Sequence, residues 1–191
     1  MERGDRIKSF FFYFENIYHV LFFFTYNILV IKLEIKPTKM TTHILTTVIN
    51  EKPQAYAYLM GDRISGTVCF YPYNKGTIMI YEINGLPKDK GFLGFHIHEG
   101  NSCNEKGDEQ FGESLGHYNP TNQKHPNHLG DLPPLFETKS VAWGIVYIDK
   151  FKPKDIIDRT LIIHDQADDF HSQPSGNSGQ KIACGIIKIW N

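Results

Sequence analysis

"GFLGFHIHE", residues 91–99, alternates residue types at its end, where Phe95 and Ile97 alternate with His96 and His98. Successive side chains of a β-strand point to opposite faces, so in a strand His96 and His98 share one face. On either side lie similar short runs rich in β-branched and aromatic residues: "AYAYLM" from 55, "RISGTVCFYPY" from 63, "GTIMIYEING" from 76, "SVAWGIVYID" from 140, "TLIIHD" from 160 and "KIACGIIKIW" from 181. Gly, Pro, Asn and Asp punctuate them, as in "YNKG" and "NGLPKDKG", which are turn signals. The pattern predicts an all-β Greek-key barrel or sandwich of about eight antiparallel strands. Two long segments carry no strand pattern, 99–139 and 165–180, and loops of that length in a compact domain are usually functional. Only "KPKDIIDR", from residue 152, suggests a helical turn.

Apolar residues make up 41% of the 191 and charged residues 21%, which fits a folded globular domain rather than a disordered chain. The net charge of −1, with no cluster of Lys and Arg among aromatics, gives nucleic acid nothing to bind. Three cysteines, with no CxxC among them, exclude a zinc ribbon or a thioredoxin-type motif. Cys69 is expected to be a buried free thiol within a strand. Cys103 and Cys184 remain as a candidate pair.

The first 39 residues differ in kind. "SFFFYFENIYHVLFFFTYNILVIKLEI" follows Arg3, Arg6 and Lys8, as an export signal or signal anchor would. Glu15 interrupts the run, Lys32 and Glu34 close it, and no cleavage site of the A-x-A kind follows. The segment reads equally as a mis-assigned upstream translation of A/T-rich codons, with Met40 as the true start, and a structural element of the domain is a third reading. The expected division is an apolar extension over 1–39 and a domain over 40–191. The protein is cytoplasmic if translation starts at Met40, and exported or membrane-anchored through residues 9–31 if the extension is genuine.

Beyond His96 and His98 the chain carries His117 in "GHYNP", His125, His128 and Asp131 in "KHPNHLGDL", and His164 closing "TLIIHD". These seven side chains fall on two strand ends and one loop. Imidazole nitrogens with one carboxylate suit zinc, and imidazole-rich sites suit copper. Seven ligands serve two four-coordinate metals if one imidazole bridges through both nitrogens.

In these motifs, taken with "TLIIHDQADD" and "GNSGQKIACGII", the sequence resembles the copper/zinc superoxide dismutases over residues 55–190, most of all compact bacterial members of Gram-positive type. The resemblance implies copper at His96, His98, His117 and His164, and zinc at His117, His125, His128 and Asp131. It implies that Asp168 links a copper ligand to a zinc ligand, and that Cys103 and Cys184 form a disulfide. The implied activity is disproportionation of superoxide to oxygen and hydrogen peroxide.

Two features depart from the family. His125 and His128 stand closer together than in the animal and plant enzymes, although every zinc ligand survives, which sets the chain apart from copper-only relatives. Lys181 stands where the family usually has an arginine that guides the anion, so the charge is kept and bidentate geometry is lost. A copper-buffering protein without turnover and a zinc-stabilised adhesion module would use subsets of the same ligands. The apolar tail "IIKIWN", ending near Trp190, would suit a homodimer contact or simply close the core.

Overall fold

The computed structural model describes residues 51–191 and, ahead of them, the helical positions His43, Thr46, Val48 and Asn50. The chain divides between residues 43 and 44, and among the described residues every strand lies in the second part, 44–191. The expectations for residues 1–39, an export signal, an anchor through 9–31 or a mis-assigned start, fall outside the described residues. No helix among the described residues is long and apolar enough to cross a membrane.

The strands are β1 (Ala55–Gly61), β2 (Ser65–Tyr73), β3 (Gly76–Asn84), β4 (Phe92–Leu93), β5 (Phe95–His98), β6 (Leu135–Phe136), β7 (Val141–Ile148), β8 (Thr160–His164), β9 (Lys181–Ile186) and β10 (Lys188–Ile189). One curled antiparallel sheet runs β5-β8-β9-β1-β2-β3-β7, with β10 also on β1. A two-stranded ribbon pairs β4 with β6. This is the expected all-β Greek-key architecture. The helical turn expected at "KPKDIIDR" is a 3-10 turn over Pro153–Ile156.

Period-2 patterning builds the core. In β1, Ala55, Ala57 and Leu59 are buried while Tyr58 and Met60 face out. Phe70, Met79, Phe95, Ile97, Leu161 and Ile163 join them without exposed surface, and full burial of such a side chain stabilises by ~1.5–3 kcal/mol. The β2–β3 hairpin turns at Asn74, whose φ of 49° lies in the left-handed region that Asn tolerates.

Two expectations need adjusting. The segment 99–139 is not featureless: it holds a 3-10 turn at Gly112–Ser114 and the strand β6, too short for any periodicity to reveal. Cys69 is a free thiol as expected but only half-buried, because its strand turns that face outward; burial still pushes its pKa up.

Candidate metal centre

β5 is buried on both faces. Phe95 and Ile97 enter the core, and His96 and His98 lie opposite them beneath the loop that follows. Two isolated antiparallel bridges bring that loop back: His96 pairs with Asp131, and His98 with His117. Tyr118 and Gly130 reinforce the return, since Tyr118 N–H donates to the Ile97 carbonyl at 2.8 Å and Ile97 N–H donates to the Gly130 carbonyl at 2.9 Å. Any side chain at 130 would run into the Ile97 carbonyl, so this approach requires glycine. From the other side, β8 ends in a register shift between Ile163 and His164 that leaves His164 opposite Lys181. A bulge of this kind re-aims a side chain at a sheet end.

The result is two groups of donors sharing one residue. His96, His98, His117 and His164 form the first, and His117, His125, His128 and Asp131 the second; within each, one ligand atom per residue lies within 4.8 Å of the others. All seven are buried.

Hydrogen bonds assign the tautomers. His98 Nδ1–H donates to the Leu115 carbonyl at 2.7 Å, and His164 Nδ1–H donates to the Gly179 carbonyl at 3.3 Å. Their Nε2 lone pairs therefore face each other across 3.3 Å. His96 Nε2–H donates to Asp168 Oδ2 at 2.7 Å, and His117 Nδ1 sits 2.8 Å from Asp131 Oδ1. That leaves His96 Nδ1 and His117 Nε2 buried with no hydrogen-bond partner. Orphaned buried acceptors are costly, and a cation between the four converging lone pairs would satisfy them. In the second group His125 Nδ1 lies 3.2 Å from Asp131 Oδ2 but out of line for a hydrogen bond, and His128 Nδ1 lies 3.2 Å from Asp131 Oδ1. Three nitrogens and a carboxylate suit zinc, and four imidazoles suit copper, so the residues fit both ions.

Asp168 spans the two groups. Its Oδ2 accepts from His96, and its Oδ1 accepts from His125 Nε2–H at 2.9 Å and from Phe170 N–H at 2.7 Å. Burial works to raise its pKa, but the bonds from His96, Phe170 and His125 outweigh it and hold the carboxylate at about 2. Gly176, at a left-handed φ of 67°, passes so close to Asp168 Oδ1 that a Cβ there would collide with it.

Burial dominates the histidines, pushing His96 down to about 4, His164 to about 3 and His98 well below its usual range. At neutral pH all three are neutral, as ligands must be. A pH dependence of the metal-free protein follows. Below the ordinary histidine value of 6.5 the unfolded chain takes up protons that buried His96 and His164 refuse, so the unfolded state gains. Stability is therefore full above pH 6.5 and falls as the pH drops from 6.5 to about 4 for His96 and to about 3 for His164. Asp168 adds a second loss between its ordinary 3.8 and about 2. Thermal melts of the metal-free protein should show a steady decline from pH 6.5 to pH 4.5; a flat melting temperature over that range contradicts the assignment of neutral buried histidines.

A cavity of about 510 Å³ opens onto His98, His117 and His164, with Glu99, Glu109 and Lys181 on its wall. Lys181 is not a free cation. Its Nζ donates to Glu109 Oε1 at 2.8 Å and to the Leu115 carbonyl at 3.1 Å, and its side chain is only 10% exposed. The same Leu115 carbonyl holds His98. Neither that carbonyl nor that of Gly179 carries any sequence signal, because every residue has one. Cys103 is bonded to Cys184, joining the loop to β9 across 81 residues.

The family model described as copper/zinc superoxide dismutase (SODC) matches residues 64–187. A protein of Deinococcus radiodurans named "Superoxide dismutase [Cu-Zn]" is 32% identical over 148 residues, 68% of this chain and 80% of its own. "Superoxide dismutase [Cu-Zn] 1" of Aquifex aeolicus is 33% identical over 130 residues, 60% of this chain and 75% of its own. Among solved structures, the crystal structure of the clock protein EA4 superposes with a TM-score of 0.63 at 28% identity, covering 73% of this chain and 97% of that one. With the matched residues spanning β2 to β9 and both histidine groups, the chain belongs to the copper/zinc superoxide dismutase family.

Proposed function

We propose that this chain disproportionates superoxide, with His96, His98, His117 and His164 as copper ligands and His117, His125, His128 and Asp131 as zinc ligands. Two superoxide anions and two protons give one O2 and one H2O2. The observation that supports this most is the membership of His117 in both four-donor groups. When bound, copper supplies one-electron oxidation and reduction at the cavity floor, and zinc supplies fixed charge without redox. The chain's own residues do the rest. His117 keeps Nδ1 directed at Asp131, so its ring stays in place while Nε2 takes up and releases a proton for the departing peroxide. Asp168 fixes the His96 and His125 rings, and Leu115 and Gly179 fix those of His98 and His164. Ile189 and Trp190 are exposed and extend the reading to a homodimer, with a second copy covering the tail; sedimentation velocity tests that part.

The direct test is metal analysis with pulse radiolysis on the purified full chain. Copper and zinc bound together with fast superoxide decay is the expected result. Copper bound without turnover would make the protein a copper buffer, and zinc alone would make it a structural module.

Lys181 completes the reading as the cation that draws superoxide into the cavity, tempered by Glu109 beside it. Attraction of a small anion weakens as the screening length falls from ~10 Å at 0.1 M salt to ~3 Å at 1 M. Lys181→Gln should lower the second-order rate by roughly threefold to tenfold at low salt and flatten its salt dependence, with bound copper unchanged. Lys181→Arg should keep both. Equal rates and salt slopes for lysine and glutamine would remove Lys181 from the guiding role.

A further inference from the structure

The segment His125–Asp131 supplies three of the four donors of the second group, yet it lies outside every strand. Only Pro126 and Asn127 separate its two histidines. Its own backbone groups make few bonds: Asn127 N–H donates to the Lys124 carbonyl at 2.8 Å, Gly130 N–H to that of Tyr118 at 2.9 Å and Asp131 N–H to that of His128 at 3.3 Å, the Gly130 carbonyl accepts from Ile97 N–H at 2.9 Å, and His128 N–H donates to Asp131 Oδ2 at 2.9 Å; none of these bonds holds the backbone of His125. Both histidine rings must nevertheless present Nδ1 to one point. Two side chains from elsewhere in the chain supply the missing restraint.

Gln173, in the loop between β8 and β9, takes both backbone polar groups of His125. Its Oε1 accepts from His125 N–H at 3.0 Å, and its Nε2–H donates to the His125 carbonyl at 2.8 Å. A second Nε2 hydrogen reaches the His171 carbonyl at 3.2 Å and fixes the plane of the amide. Asp168 meanwhile holds the far nitrogen of the same ring. His125 is thus gripped at its backbone and at its ring tip, which leaves Nδ1 a single direction.

Lys150, two residues past the end of β7, does the same for the other end of the segment. Its ammonium donates to the His128 carbonyl at 3.2 Å and to that of Asp131 at 3.1 Å, with that of Pro126 at 3.5 Å. Among the described residues no carboxylate lies within ion-pair distance of it, so its charge is directed at these carbonyls. A compact ammonium with three donors can gather three carbonyls around one point.

We propose that Gln173 and Lys150 are positioning residues of the second metal site, holding the short His125–Asp131 loop in ligand geometry before an ion arrives. The proposal rests on the reading of that group as a zinc site. Neither side chain touches the ion; each acts through the backbone that carries its ligands. Pre-organisation of this kind matters most where the ligand-bearing loop is short and has no strand to stiffen it. Partners at this remove typically change metal affinity by about 10- to 100-fold.

The test uses the full chain with Gln173→Ala, Lys150→Met and the double variant, together with Gln173→Glu and Lys150→Arg. Zinc affinity is read by competition with a chromophoric chelator, ligand geometry by the visible spectrum of the cobalt(II)-substituted site, and copper affinity and metal-free melting temperature serve as references. Each single variant should bind zinc about tenfold more weakly and the double variant more weakly still, with an altered cobalt spectrum but copper affinity and metal-free melting temperature unchanged. Lys150→Arg should recover most of the affinity. Gln173→Glu keeps the acceptor and loses the donor, so it should fall between wild type and alanine even if the alanine variant folds poorly. Zinc affinity within twofold of wild type in the double variant overturns the proposal. So does an equal loss of copper affinity and metal-free stability, which would mark the two residues as general scaffold. Wild-type protein that fails to hold zinc at this site overturns the zinc reading and the proposal together, whereas tight wild-type zinc binding with indifferent variants overturns the proposal alone.

Discussion

His96→Ala should leave a folded protein that holds zinc and has lost superoxide turnover, with the rate down by about a thousandfold or more, to background. The ring it removes has no exposed surface and carries one of the two first-group nitrogens that have no hydrogen-bond partner. Three imidazoles remain, but the one set against Asp168 is gone, and with it the fixed direction of one ligand. The second group is touched through the ring of His117, 4.0 Å away between centroids, and through Asp168, which keeps His125 and the Phe170 N–H as partners. Removing a buried ring leaves a cavity, a change that costs ~2–4 kcal/mol in comparable cores, so the melting temperature should drop while the fold persists. Copper and zinc content, circular dichroism and pulse radiolysis on the copper-loaded variant check each part. Full turnover in that variant would falsify the assignment of His96 to the copper group.

The second large effect belongs to the disulfide. Replacing both Cys103 and Cys184 with serine releases a closed loop spanning 81 residues. In the chain-entropy account, a loop of that length is worth ~4–5 kcal/mol. For a domain of this size that corresponds to a fall in melting temperature of roughly 10–20 °C. The loss should reach the site as well. The freed loop carries Leu115, whose carbonyl accepts from both His98 Nδ1 and Lys181 Nζ, so the copper group should bind its ion more weakly in the reduced protein. Calorimetry of the double serine variant and copper competition on the same sample measure both effects. Peptide mapping without reduction should recover Cys103 joined to Cys184 and Cys69 free. A melting temperature within about 3 °C of wild type would mean that the bridge constrains little beyond what the sheet already holds.

Much of the molecule is legible in its residues because strand chemistry is local. Alternation in β1 and β7, and the turn residues around Asn74, mark strands without knowledge of their partners. The pleat alone puts His96 and His98 on one face. "KHPNHLGD" and "TLIIHD" supply further donors whose types already speak for two borderline-soft metals. A strand of two residues inside a long loop escapes such reading, and so β6 became visible only when paired with β4.

Which donors meet is a different kind of information. The bridges of His96 to Asp131 and of His98 to His117 join residues that no periodicity relates, and only the folded loop places His117 between the two groups. The partners that orient the rings are further from reach. The carbonyls of Leu115 and Gly179 have no side-chain signature, and Gln173 and Lys150 look in the sequence like ordinary polar surface residues. Even Lys181, recognisable by its place before Cys184, is redefined by Glu109, which lies 72 residues away and meets it in space. Residue type and spacing thus determined which chemistry this chain carries. Its tertiary structure decided where each lone pair points, because backbone hydrogen bonds and charge pairs depend on distance and angle, which a linear order of residues does not contain.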